Sequence, residues 1–312
     1  MKSRARIPIL TAAMIGLALP SCSKKEPEAD PAGAETAPVV LLEQGSEPTA
    51  VLKYEVAGAP LQSSKLKVSM SMGLDYSGQA IPPETIPATS MTLDFGLSGP
   101  PKSDRFDCSV LIAGAAIVDD GSDMERLAHF NRELTHQDPV GRAGRLTRSA
   151  NGQVLTVDFE IPGGATATLR HFFGNLKQAL QQLAIPFPAE KVGPGARWKA
   201  DLPVKISGME LTQSGDYRLV SLDGNRATVA LKARCLAETQ LFHLPNMPDT
   251  ARCELIGLDG EAAGELTVDL TRPFPVEGNL AYRFDMRMRV MNEGKTDALN
   301  AHIEMEFDLR TP

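Results

Sequence analysis

The side chains most able to do chemistry in this chain are five histidines and four cysteines. His129 and His136 could share one face of a helix, but no cysteine or carboxylate joins them at the spacing of a metal site. The patterns H-E-x-x-H, G-x-S-x-G and the phosphate-binding loop are absent from the sequence. We therefore predict no metal, no cofactor and no enzymatic activity. Paired carboxylates brought together only by folding stay open as an alternative, because their separation is invisible in a sequence.

Cys22 is the residue with the clearest assigned chemistry. Three basic residues precede the apolar run 7–19, which is shorter than the roughly 20 residues that a membrane-spanning helix needs. A basic start, a short apolar run and a small residue before the cut are typical of an export signal.

The order Leu19, Pro20, Ser21, Cys22 resembles the lipobox of bacterial lipoproteins. In that family the cysteine sulfur receives a diacylglyceryl group, the chain is cut before the cysteine, and the new amine is acylated. The resemblance implies that residues 1–21 are a signal peptide, that Cys22 is lipidated and that the chain is attached to a membrane. An ordinary secretory signal cut near Ser21 is the alternative.

The segment after Cys22 has the composition of a tether. Residues 23–48 are rich in Glu, Pro, Ala and Ser without apolar periodicity, so we predict a flexible linker before a folded domain at 49–312. By the enteric sorting rule of the lipoprotein family, Ser23 implies the outer membrane, with the domain facing the periplasm. The formal net charge of −7 disfavours nucleic acid as a partner. The oligomeric state stays open.

Three further cysteines follow the tether, namely Cys108, Cys235 and Cys253. Disulfides persist in the oxidising compartments to which exported proteins go. Cys235 and Cys253 are the closest pair along the chain, so we predict a disulfide between them. Cys108 lies in a strand-like run without a flanking base, which favours a small buried hydrophobic residue over a reactive thiol.

Apolar and polar residues alternate through much of the domain, which predicts strands with one buried and one solvated face. Such strands belong to antiparallel sheets. The clearest stretches are 66–72, 91–97, 155–161, 266–270, 280–290 and 303–309. We also predict a C-terminal hairpin with its loop at 292–300, in which Arg287 and Arg289 pair with Glu304 and Glu306.

Two segments have helical periodicity instead. A capping box at Ser122 and Glu125 predicts a helix at 123–136. A second amphipathic helix is predicted at 167–184, with Gln181 and Gln182 on its solvent side. The predicted fold class is α+β, mainly β, with curved antiparallel sheets wrapped on one or two amphipathic helices. One domain, or two lobes at 49–165 and 190–312 joined by helix 167–184, are both compatible with the pattern.

The element that follows the second helix carries a family pattern. It consists of Pro188, Val192, Gly193, Gly195 and Trp198. With the flanking stretches 149–154 and 217–224, it is similar to a family of uncharacterised bacterial lipoproteins with a proline-V-G-x-G-x-x-W element. More distantly, the pattern resembles the half-barrel carriers of the Lol lipoprotein-transport system. The first resemblance implies no catalytic residues. The residues themselves predict a tight turn at the glycines with Trp198 packed over it, and a Trp198 that contacts a ligand is the alternative.

Methionines on the predicted buried faces favour an apolar ligand, because this side chain adapts to guests of varied shape. We predict that a lipid or an acyl chain binds between the sheet and helix 167–184, with the helix as a cover. The predicted contacts are Met70, Met72, Phe172, Phe173, Leu176, Leu180, Met286 and Met288. In the alternative hypothesis the methionines fill a solid core, and the protein is an envelope scaffold or assembly factor that acts through its surface.

Overall fold

The alternating segments of the sequence form strands, and the chain is mainly β, with 63% of its residues in strands and 9% in helices. The computed structural model describes residues 37–118, 124–137, 139–162, 165, 167–206, 209–242, 251–292 and 294–312. Cys22 and the signal and tether residues before residue 37 lie outside this range. Residues 39–43, predicted as part of the flexible linker, instead form a strand that pairs with residues 197–200.

Fifteen strands are present in the described ranges. They are β1 (Val39–Glu43), β2 (Ala50–Val51), β3 (Gln62–Tyr76), β4 (Gln79–Leu97), β5 (Arg105–Ile117), β6 (Ala143–Ser149), β7 (Val154–Phe159), β8 (Lys191–Val192), β9 (Arg197–Ile206), β10 (Met209–Asp223), β11 (Arg226–Leu236), β12 (Gln240–Phe242), β13 (Arg252–Asp269), β14 (Glu277–Asn292) and β15 (Lys295–Arg310). Two helices are described, α1 (Met124–Gln137) and α2 (Ala167–Gln182). Both agree with the predicted helices to within two residues at each end.

One antiparallel sheet of 13 strands contains almost all of these elements. Its order is β1-β9-β10-β11-β13-β14-β15-β3-β4-β5-β6-β7, with β12 paired to β13, while β2 and β8 form a separate pair. The C-terminal strand β15 pairs with β3, for example through Leu309 and Leu66. Strands from both halves of the chain therefore share a single sheet.

The two ends of this sheet approach each other. Ala37, just before β1, donates its N–H to the side chain of Gln153 at 2.7 Å, and its carbonyl accepts from the Gln153 amide at 2.7 Å. Gln153 directly precedes β7, the strand at the opposite end of the order. The sheet must therefore curve, so that one face is inside and the other is outside.

One-sided strands explain the division between these faces. Along β14 the exposed and buried residues alternate, with Tyr282, Phe284, Met286 and Met288 buried between charged neighbours. The inward-facing residues of the other strands join them in one continuous hydrophobic core. This burial provides the main driving force for folding, at roughly 25 cal/mol per Å² of apolar surface.

Turns and a buried arginine close one end of the curved sheet. Arg148 is fully buried and donates to the carbonyls of Pro273 and Gly152 at 2.8 and 2.7 Å. Its guanidinium group lies 4.5 Å from the ring centre of Tyr54. These contacts join the β6–β7 turn, the β13–β14 connection and the segment between β2 and β3.

The predicted turn before β9 is also at this end. A Cβ on Gly193 would lie 1.8 Å from the carbonyl oxygen of Ser46, so only glycine fits there. Trp198 is fully buried, donates from Nε1 to the carbonyl of Pro186 at 2.7 Å and stacks on Tyr217. The tight turn is confirmed, and Trp198 is buried against Pro186 and Tyr217.

The C-terminal hairpin differs from the prediction in its loop and its ion pairs. Asn292 pairs with Lys295, so the connection is much shorter than the predicted loop at 292–300. In this register Glu304 binds Arg283 at 2.9 Å, and Arg289 binds Glu254 of β13 at 3.3 Å. The predicted pairing with Arg287 and Arg289 was wrong because the short turn shifts the register between the strands.

The two helices contact different strands. The strand contacts of α1 are mainly with β5, and those of α2 are mainly with β7, where Lys177 binds Asp158 at 3.3 Å. Within the described part of the chain, neither helix combines the length and the apolar character that crossing a bilayer requires.

Candidate functional site

The predicted sheet residues of the ligand site lie together on the inner face. Met70 and Met72 belong to β3, and Met286 and Met288 belong to β14, with β15 between these two strands. Met72, Met286 and Met288 are buried, whereas Met70 is half-buried next to Met305 of β15. The structure therefore brings the methionines together as a patch across three neighbouring strands.

The predicted helix residues lie on α2, at a different part of the core. Phe173, Leu176 and Leu180 are at most 1% exposed, and Phe172 is half-buried. The ring of Phe173 packs 5.1 Å from that of Phe159 in β7. The helix side chains thus belong to the same continuous core as the methionines, but their main strand neighbour is β7.

The predicted disulfide is not formed, and the reason is strand register. Cys235 of β11 lies opposite Gly260 of β13, whereas Cys253 lies opposite Val290 of β14. Because Cys253 and Gly260 are about seven residues apart on one strand, roughly 23 Å separates the two cysteines. A disulfide requires Cα atoms within about 7 Å. Nearness in sequence was therefore a wrong guide to pairing.

All three cysteine side chains are buried. Burial raises the pKa of the Cys108 thiol to about 12 and that of the Cys235 thiol to about 11. Both remain protonated thiols at neutral pH, as the prediction for Cys108 required.

Two tyrosines on the inner face mark the most unusual chemistry of the core. Tyr217 of β10 and Tyr282 of β14 are 1% and 2% exposed. The Tyr282 hydroxyl has no hydrogen-bond partner, and the Tyr217 hydroxyl has no well-formed one, although the Gln213 side chain lies close enough to lower its pKa slightly. Burial raises the pKa of both phenols well above the usual value, so both are neutral. Cys235 and Tyr217 are close enough to raise the pKa of Tyr282 further. A buried polar group without a partner is rare and requires an explanation.

Small residues separate the two tyrosines. Gly215, Ala233, Ala262 and Tyr282 lie opposite one another on β10, β11, β13 and β14. The ring of Tyr217 covers Gly215, where a Cβ would lie 2.6 Å from the ring. The inner face therefore carries side chains no larger than methyl between two aromatic rings whose hydroxyls lack a well-formed hydrogen bond.

The sequence pattern contained part of this information. Strand alternation places Tyr217 and Tyr282 at inward positions, where a tyrosine normally needs a partner for its hydroxyl. Whether that partner exists depends on neighbouring strands, which the sequence does not specify.

A groove on the same strands is lined mainly by outer-face residues, and Ala233, Ala262, Tyr282 and Met305 also contribute to its lining. It has a volume of about 680 Å³, and Ala263 and Ala281 form part of its floor. Charged residues of alternating sign line it, including Lys232, Glu261 and Arg283. The lining therefore combines these charges with apolar surface from alanines and Met305.

Comparisons with known proteins do not assign either face. No model of a known protein family matches the chain, and no curated protein matches it at a significant level. The lipoprotein-family resemblance stays a prediction. In the part of the chain that the structure describes, no three His, Cys, Asp or Glu side chains are arranged to hold a metal ion.

Proposed function

We propose that this protein is a lipid-anchored component of the bacterial cell envelope that binds an amphiphile on the inner face of its curved sheet. The amphiphile carries an apolar chain and an oxygen-bearing end, as fatty acids and lipids do. The observation that carries the proposal is the buried hydroxyl of Tyr282, which has no partner, together with that of Tyr217, which has only a poorly formed contact with Gln213, within an apolar inner face.

The cost of these hydroxyls is the first step of the argument. An unsatisfied buried polar group costs about 1–3 kcal/mol, and a phenylalanine at either position would avoid that cost. A ligand oxygen placed over Ala233 and Ala262 would accept hydrogen bonds from the phenols. The two hydroxyls would then form hydrogen bonds in the ligand-bound state. This explains why the sequence keeps tyrosines that destabilise the ligand-free fold.

The methionine patch supports the apolar part of the ligand. Met70 and Met305 face each other across β3 and β15 and are both half-buried, although they point to the inner face. Unbranched methionine side chains repack at low cost, so a chain can be admitted between them without loss of the fold. The apolar chain would extend from the tyrosines along this patch.

Helix α2 is the proposed cover of the curved sheet. It packs on β7 at one end of the sheet. Its last turn and strand β9, which is near the other end, line the same cavity. A helix in this position covers the inner face where the sheet stays open. Its movement would admit the ligand without breaking strand pairs.

The proposed location follows from Cys22 and the tether. Acylation at Cys22 would hold the domain on the outer membrane, where multiple acyl chains anchor far more firmly than one. The acidic linker would let the domain reach amphiphiles without leaving the membrane surface. Replacement of Cys22 by Ser should release the protein from membranes and abolish its labelling by fatty-acid probes. Unchanged membrane association would contradict the anchor.

The groove on the outer face supports a second candidate function. Its volume of about 680 Å³ and its charged lining fit a polypeptide partner, so the protein could act as an envelope assembly factor. In this case the inner face is only a core.

Native mass spectrometry after gentle detergent extraction separates the two candidates. The first predicts a bound amphiphile at one per chain, and its loss when Tyr217 and Tyr282 are both replaced by Phe. Tyr76→Phe is the matched control, because that hydroxyl already donates to Asp297. A chain without amphiphile that carries a stoichiometric protein partner would reject the first candidate in favour of the second.

A further inference from the structure

A separate cavity of about 180 Å³ lies where the two ends of the sheet approach each other. Its walls come from the start of β7, from β9 beyond its pairing with β1, and from the end of α2. Leu155, Leu202, Val204 and Pro186 make part of the wall apolar, while Gln182 and Gln213 add amide groups. The cover helix α2 ends at this cavity and Gln213 also approaches the Tyr217 hydroxyl, but Gln182 and the β7 wall take no part in the proposed contacts with the amphiphile.

Gln182 is the feature that needs an explanation. It was predicted on the solvent side of its helix, but it is only 4% exposed because β7 and β9 enclose this turn. Both its Oε1 and its Nε2 are buried, and neither has a hydrogen-bond partner. The side chain therefore presents one unused acceptor and one unused donor next to the cavity.

The same cavity already shows what a glutamine amide binds there. Gln153 also lines it, and its side-chain amide pairs with both the N–H and the carbonyl of Ala37 at 2.7 Å. One glutamine thus holds the N–H and the carbonyl of one residue by two hydrogen bonds of opposite sense. Gln182 has the same side-chain carbonyl and NH2 group, but no backbone N–H or carbonyl pairs with them.

The strands around the cavity offer the same chemistry. β7 is the last strand of the sheet, and β9 is paired with β1 only as far as Ala200 among the described residues. Free strand edges bind extended polypeptides through main-chain hydrogen bonds. Pro203 removes one N–H donor from the β9 edge, which limits any added strand to a short stretch.

We propose that this cavity binds one residue of an extended segment of a partner polypeptide, with Gln182 pairing to the N–H and the carbonyl of that residue. The backbone of one residue supplies the donor and the acceptor that Gln182 lacks, whereas a carboxylate or a phosphate supplies acceptors only. The volume of about 180 Å³ admits a stretch of about one residue, and the apolar wall selects a small apolar side chain.

The test uses the mature full-length protein and a blocked peptide, acetyl-Val-Ala-Val N-methylamide, with binding followed by NMR. The second probe is the same compound with an ester in place of the amide between the first valine and the alanine, which removes the N–H donor of the alanine. We expect the ester to bind at least about tenfold more weakly, because Gln182 Oε1 is then left buried and unpaired. Equal binding of amide and ester, or no binding of the amide at millimolar concentration, would overturn the proposal.

Gln182→Met supplies an independent check, since it keeps the length of the side chain and removes both polar atoms. We expect it to weaken amide binding at least about tenfold and to leave the ester nearly unaffected. Gln178→Met is the control, because Gln178 lies one turn earlier on α2 and does not line the cavity. Equal losses in the two variants would contradict the assignment.

A third probe identifies the source of the peptide. A synthetic peptide with the sequence of residues 23–36 should bind no more tightly than the blocked tripeptide if the occupant is a partner. Tighter binding would assign the cavity to the chain's own tether and reject the partner. Retention of an amphiphile by the Gln182→Met variant would show that this site and the tyrosine site are independent.

Discussion

Replacing Tyr217 or Tyr282 by phenylalanine removes one oxygen atom and keeps the ring that packs in the core. The Tyr282 hydroxyl is buried without a partner and the Tyr217 hydroxyl has only a poorly formed contact with Gln213, and a buried hydroxyl without a good hydrogen bond costs about 1–3 kcal/mol. In the ligand-free protein we therefore expect each replacement to raise the free energy of unfolding by about 1 kcal/mol. For a domain of this size, such a gain raises Tm by about 2–4 °C. The gain should not vary between pH 6 and 9, because burial keeps both phenols neutral by raising their pKa.

Urea and thermal unfolding of delipidated protein measure this change. Tyr76→Phe is the control and should be less stable by about 1 kcal/mol, because it loses the hydrogen bond to Asp297. With a bound amphiphile the order should reverse, and the ligand should raise Tm less in the Tyr217 and Tyr282 variants than in the wild type. A loss of about 1 kcal/mol in either variant without ligand would refute the reasoning, since it would show that the hydroxyl has a partner.

Three further predictions concern the core and the outer face. With Cys22 replaced by Ser, the native protein should react slowly with a thiol reagent, because burial raises the pKa of Cys235 to about 11. After unfolding without reductant it should show three thiols, and a count of one would reveal a disulfide. Trp198→Phe should lower the free energy of unfolding by about 2 kcal/mol in urea, because a buried hydrogen bond and core volume are lost; an unchanged value would contradict the packing. Hydrogen bonds to neighbouring carboxylates raise the pKa of His302, so its stabilising effect should be complete below its ordinary pKa of about 6.5 and should vanish as pH rises through the higher folded value. An NMR titration of the ring that gives a pKa below 6.5 would contradict this.

Local structure was largely predictable, because periodicity reports which face of an element is buried. The alternation at 280–290 lies within β14, and the helical spacing at 167–184 matches α2. In each case the signal comes from residues a few positions apart, which share one environment.

Pairing between distant strands was not predictable in the same way. The contact of β15 with β3 joins residues more than two hundred positions apart, and no local pattern encodes it. The predicted disulfide between Cys235 and Cys253 was wrong for this reason, because the register of strands β11, β13 and β14 sets the distance between the two cysteines.

The candidate sites show the same limit. The inward direction of Tyr217 and Tyr282 follows from alternation, but the poor pairing of their hydroxyls depends on small residues from two other strands. Gln182 was assigned to the solvent side because its helix is amphipathic, and only the approach of β7 and β9 buries it. Whether a buried polar group has a hydrogen-bond partner depends on the assembled fold. The sequence therefore shows which polar side chains point inward, but not which of them lack a partner.

Photo-crosslinking with a diazirine fatty acid tests the central claim most directly. The probe is bound to the full-length protein and the complex is irradiated. It should then label inner-face residues near Tyr282, Met286 and Met288, and an excess of ordinary fatty acid should suppress this labelling. Labels confined to outer-face residues such as Arg283 and Glu304, or no competable label at all, would contradict binding of an amphiphile inside the curved sheet.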